Sequence, residues 1–192
     1  MKVIRAFVTI LCVAMTLIGG CTQPRSGRVA PVVVATDDGS PFPASLAGRW
    51  KADRHGWEFL IEPDGRIASA VISLGRVTVL PGQTTTVATR TGDQALFTPG
   101  PWTVHYDPVT RMLTIKIAMS HVRVPMGPHI LEGSSTDVFT GAVSPEMDTW
   151  QTQWTTFTDY TAQTPEDKPI DLSTDKTYGE TQPLLFTKTP DR

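Results

Sequence analysis

The chain has 192 residues, with 17 basic and 19 acidic side chains and a net charge of −2. A single domain of this length can bury close to about 70% of its unfolded surface, so a core needs no partner. At 40% hydrophobic, 8% aromatic and 19% charged residues, the composition excludes a disordered chain and a polytopic membrane protein, and the charge balance removes the basic patch that nucleic-acid binding requires.

Lys2 and Arg5 precede an apolar run of 13 residues, Ala6 to Ile18, and Gly19-Gly20 leads into Cys21. This is the architecture of a signal peptide. The run is shorter than the roughly 20 residues of a membrane span, and no second apolar stretch follows. Ile18-Gly19-Gly20-Cys21 resembles the lipobox of bacterial lipoproteins, in which Leu is commoner at the first position and Ala or Ser at the second. The resemblance implies a diacylglycerol on the Cys21 thiol, removal of residues 1–20, and acylation of the new amine; two or more chains anchor stably where one binds only reversibly. Cys12 leaves with the leader, so Cys21 is then the sole thiol and no intramolecular disulfide can form. Enterobacterial lipoproteins kept at the inner membrane carry Asp after the cysteine. Thr22 therefore implies the outer membrane, on its periplasmic face. Loss of Lys2 and Arg5 takes the net charge from −2 to −4 (−2 − 2).

Residues 21–43 hold Pro24, Pro31, Pro41 and Pro43 without sustained periodicity and read as a tether, with a reach of about 25 Å. Val32-Val33-Val34 is either an edge strand or an apolar stretch of linker. Residues 44–192 form the domain, and its signals are all-β: Thr, Val and Ile abound, no long window keeps helical periodicity, and turn residues recur every 8 to 12 positions. Trp57, Phe59 and Ile61 alternate with Glu58 and Glu62 and end at Pro63-Asp64-Gly65, a hairpin; Ile67 to Leu74 is the partner strand, and Gly75 marks a bulge or bend before Arg76 to Leu80. Further strands are expected at Thr85 to Arg90, Gln94 to Thr98 and Trp102 to Tyr106. Leu113, Ile115, Ile117 and Met119 form the cleanest inward face. Ile130 to Val143 and Thr149 to Thr161 make a long pair, Ala162 to Pro183 is a lid or a surface wrap, and Leu184 to Lys188 closes the chain. These strands fit a single antiparallel meander barrel or, alternatively, a two-sheet β-sandwich.

Leu46-Ala47-Gly48-Arg49-Trp50, followed by Trp57-Glu58-Phe59 and Pro63-Asp64-Gly65, resembles the opening of lipocalin-like barrels, which carry Gly-x-Trp on their first strand. The resemblance implies a lipocalin-like barrel with Trp50 packed across its end and Gly48 admitting the chain to the sheet.

Catalytic signals are weak. His55, His105, His121 and His129 lack metal-ligand spacing; His105 takes the outward parity of its strand, and His121 continues the inward parity of Met119 unless a bulge intervenes. Glu58 and Glu62 share a polar strand face, which reads as solvated. No Gly-x-Ser-x-Gly elbow or phosphate loop occurs. Trp150, Trp154 and Tyr160 share one parity opposite Gln151, Gln153, Thr155 and Asp159, which makes them either core packing or the wall of a ligand cavity. The sequence therefore predicts a non-enzymatic, lipid-anchored envelope lipoprotein without cofactor or metal. Its barrel would bind a small apolar ligand or serve envelope maintenance; the alternative is a filled barrel that docks a protein partner.

Overall fold

Alternating apolar residues and turn-forming dipeptides organise the chain into strands and one 3-10 turn, Ala44–Leu46. The computed structural model describes residues 32–74, 76–163, 169–171 and 181–189; the leader, Cys21 and Thr22 lie outside them. The strands are β1 (Val32–Thr36), β2 (Gly48–Ala52), β3 (Glu58–Ile61), β4 (Ile67–Val71), β5 (Thr78–Val79), β6 (Thr85–Ala88) and β7 (Gln94–Pro99), followed by β8 (Trp102–Asp107), β9 (Met112–Met126), β10 (His129–Val143), β11 (Thr149–Gln163), β12 (Pro169–Asp171) and β13 (Thr181–Thr189). All belong to one sheet, with main order β1-β8-β9-β10-β11-β13-β2-β3-β4-β5.

β7 and β8 both run antiparallel to β9, one after the other along the same edge. They form one long strand interrupted at Gly100-Pro101, because Pro101 has no N–H to give the ladder. The break is held by the Gly100 N–H and the Trp102 indole N–H, which both donate to the Ala118 carbonyl (2.8 and 3.0 Å). β13 pairs with β2, so the sheet curls until the last long strand meets the first strand of the Gly-x-Trp segment. This is a lipocalin-like curl left open along one seam: among the described residues no ladder joins β4 or β5 to β6 or β1. One end of the seam is filled by β1, whose Val34 packs beside Phe42 over Gly65.

β1 falls inside the stretch read as tether and pairs in parallel with β8. Its β-branched run gains a ladder and covers core side chains, so the domain begins by Val32, and the sheet is mixed where a pure antiparallel meander was expected. The stretch 162–183 contributes β12, paired with β11; residues 164–168 and 172–180 lie outside the described set.

Gly48 and Trp50 lie on β2. Gly48 has φ +127°, a conformation unfavourable to side chains, and Lys188 crosses directly above it. Trp50 is fully buried, and its indole N–H donates to the Leu46 carbonyl at 2.9 Å. Beneath it Phe59, Phe139, Trp150 and Phe186 pack with centroid separations of 5.0 to 6.5 Å. This aromatic cluster fills the middle of the barrel.

Candidate functional site

The inward residues of β11 change character along the strand. Trp150 lies in the aromatic cluster with its N–H bonded to the Gly141 carbonyl (3.0 Å). Beyond it come Thr152, Trp154, Thr156, Thr158 and Tyr160. The register sets Phe139 opposite Trp154, Asp137 opposite Thr156 and Ser135 opposite Thr158. A cavity of about 190 Å³ occupies this end of the barrel, walled by Trp57, Trp154 and Tyr160, floored by Met119 and Val122, and holding Asp137. It reaches solvent past half-buried Ser73, Leu74, Thr156, Thr158 and Tyr160.

Asp137 is 6% exposed. Burial pushes its carboxyl up to about 6, against the opposing effect of hydrogen bonds from the Trp154 indole (2.8 Å) and the Thr156 hydroxyl. Tyr160 and Ser135 hydrogen-bond each other, and burial raises the phenol. None of the residues lining the cavity is Lys, Arg or His. Trp57 is 1% exposed and stands edge-on to Phe139 and Trp154, at 4.9 and 6.0 Å. Its indole N–H is the only buried side-chain polar atom without a partner among the described residues; such a group costs free energy until an acceptor reaches it.

A second concavity of about 450 Å³ lies in the open seam, lined mainly by apolar side chains including Val77, Val87, Phe97 and Val124. Leu74 borders both spaces, so they adjoin. A broader trough of about 620 Å³ on the outer face, across β10, β11 and β13, presents the outward Gln151 and Gln153 and holds no buried ionisable group.

The proposed wall of Trp150, Trp154 and Tyr160 therefore divides. Trp154 and Tyr160 line the cavity, whereas Trp150 is core, because four aromatic neighbours and a carbonyl already satisfy its whole surface. His121 does not point inward. Both ladders of β9 skip a residue beside it, with Thr98 opposite His121 but Pro99 opposite Met119, and Gly133 opposite Val122 but Ser135 opposite Met119. This bulge returns Val122 to the interior and turns His121 out, 3.4 Å from Glu132. His105 faces outward and meets Asp37 at 2.7 Å, His129 is exposed, and exposed His55 lies against Trp154 with ring centroids 5.1 Å apart and planes inclined at 51°, without lining the cavity. Glu58 lies outside the barrel between Arg49, Lys51 and Arg76 at 3.6 to 3.9 Å, and Glu62 pairs with Arg66 in its hairpin. No cluster of three or more His, Cys, Asp or Glu suited to a metal occurs among the described residues.

Sequence reasoning missed Asp137 and Trp57. The signal for Asp137 was there: it shares parity with Ser135, Phe139, Gly141 and Val143, a run that faces the core. An acidic residue in such a run is either a register error or a functional group. No protein-family model, curated protein or solved structure matches the chain.

Proposed function

We propose that the protein is a non-enzymatic envelope lipoprotein, anchored by lipid on Cys21 to the periplasmic face of the outer membrane, whose barrel binds a small, largely apolar ligand. One observation carries this reading: the barrel end is a walled cavity whose polar groups, Asp137 and the Trp57 N–H, have hydrogen-bonding capacity the fold leaves unused. Binding sites combine apolar walls with a few polar groups that orient the guest. The adjoining seam concavity extends the apolar surface available to it.

The packed aromatic cluster favours a second reading, a filled barrel that docks a protein partner. The cavity of about 190 Å³ is smaller than the roughly 300 Å³ at which drug-sized sites begin. Titrating a medium-chain fatty acid or a hydrophobic dye into the full chain while following tryptophan fluorescence separates the two. Ligand binding predicts saturable quenching that Tyr160→Ala weakens while the near-ultraviolet dichroism of the core persists. No saturation with either probe leaves the docking module. Palmitate labelling lost in Cys21→Ser supports the anchor, and labelling that survives the change refutes it.

A further inference from the structure

Asp137 is a carboxylate without a cation. It is 6% exposed, accepts hydrogen bonds from neutral donors only, the Trp154 indole and the Thr156 hydroxyl, and forms no ion pair among the described residues. Buried charges are ordinarily paired, because desolvation is costly. The surrounding surface would stabilise a cation in two ways. Trp57, Trp154 and Tyr160 wall the same cavity, and the electron-rich faces of such rings attract an ammonium group, most strongly where water is excluded. A carboxylate has about four acceptor positions, so two hydrogen bonds leave it able to meet a further charge. At about 190 Å³ the space corresponds to roughly six liquid waters, the size of a small head group.

The geometry points to a small organic ammonium ion, primary to quaternary, as the group this cavity takes, with Asp137 as its counter-ion and Trp57, Trp154 and Tyr160 as its aromatic wall. The assignment rests on the cavity's being a binding site at all. It adds that the guest's head is cationic, with any apolar remainder lying past Leu74 toward the seam.

Choline and 3,3-dimethyl-1-butanol have almost the same shape and differ in charge, since a carbon replaces the nitrogen. Titrating each into the full chain at pH 7.5, with tryptophan fluorescence as the readout, isolates the charge. The expected result is saturable binding of choline about 10-fold or more tighter than the alcohol, with the preference reduced to within about 2-fold in Asp137→Asn. Tyr160→Leu, a change at the half-buried mouth, should also lower the preference, so the test does not depend on Asp137→Asn folding. Equal binding of the two by the unaltered protein overturns the cationic head and leaves a ligand-binding barrel standing. Failure of both, together with failure of the fatty acid and the dye, overturns the binding site itself.

Discussion

Asp137 sets the cavity's chemistry and carries a measurable cost. Its carboxyl titrates at about 6 in the folded chain against 3.8 when unperturbed. The native state therefore holds the proton more tightly than the unfolded state, and ionisation opposes folding. The penalty, of order about 3 kcal/mol, is fully present above pH 6, shrinks as pH falls from 6 to 4, and is gone below 4. Asp38 and Asp107 act in the opposite sense, since hydrogen bonds from Ser40 and Thr110 hold their carboxyls below the usual range. Asp137→Asn keeps an acceptor for the Trp154 indole and removes only the titration. Denaturant unfolding of both proteins from pH 4 to 7.5 should show the variant gaining stability relative to the unaltered chain as pH rises, with the change centred between 4 and 6. Parallel stability curves would mean that Asp137 is not desolvated. The inward parity of residues 135 to 143 made Asp137's position legible, whereas the identity of its neighbours depended on the register of β10 against β11. That register arises from long-range pairing, which a period-2 pattern does not encode.

Strand existence was readable wherever alternation was strict, as in Leu113 to Met119 and Trp102 to Tyr106. Departures occur where one residue breaks the period. The inserted position at Ser120-His121 lengthens β9 beyond its clean apolar stretch and reverses every later side chain; a bulge is a two-against-one pairing and leaves no compositional mark. Its removal should be tolerated. Deleting Ser120 leaves Met119, His121 and Val122 in plain alternation, with Val122 still inward and His121 out, and loses the hydroxyl's hydrogen bonds to the Thr98 and Pro99 carbonyls (3.0 and 3.4 Å), so it should cost about 1 kcal/mol, close to Ser120→Ala. Deleting Lys116, in the regular part of the strand, instead inverts the parity of the buried residues on one side of the cut and should lower stability by about 3 kcal/mol or more. Urea unfolding midpoints compare the two deletions, and a Ser120 deletion as severe as that of Lys116 would contradict the bulge. β1 was left open for a related reason. Val32 to Val34 fit an edge strand by composition, but pairing with β8 required that edge to be free, which follows from the topology of the later strands.

At the scale of the whole molecule, the sheet is a curled meander that joins β13 to β2 and stays open between β5 and β6. The Gly48-x-Trp50 segment marked the joined side in the sequence. The open side carried no mark, because a missing ladder is the absence of a partner and not a property of any one strand. Aromatic packing fills the centre, and a walled cavity with an unpaired charge lies at one end, beside the apolar seam. The proposed binding turns on whether a guest enters that end, and the five tryptophans report on it separately. The indole N–H groups of Trp50, Trp102 and Trp150 are bonded to the carbonyls of Leu46, Ala118 and Gly141; that of Trp154 is bonded to Asp137 and that of Trp57 is unpartnered. In a ¹⁵N-edited spectrum of the full chain titrated with choline or a fatty acid, the Trp57 and Trp154 indole signals should move progressively and saturate while the other three hold their positions. Five unmoved signals at saturating probe, or five that shift together without saturating, would contradict a ligand-binding cavity.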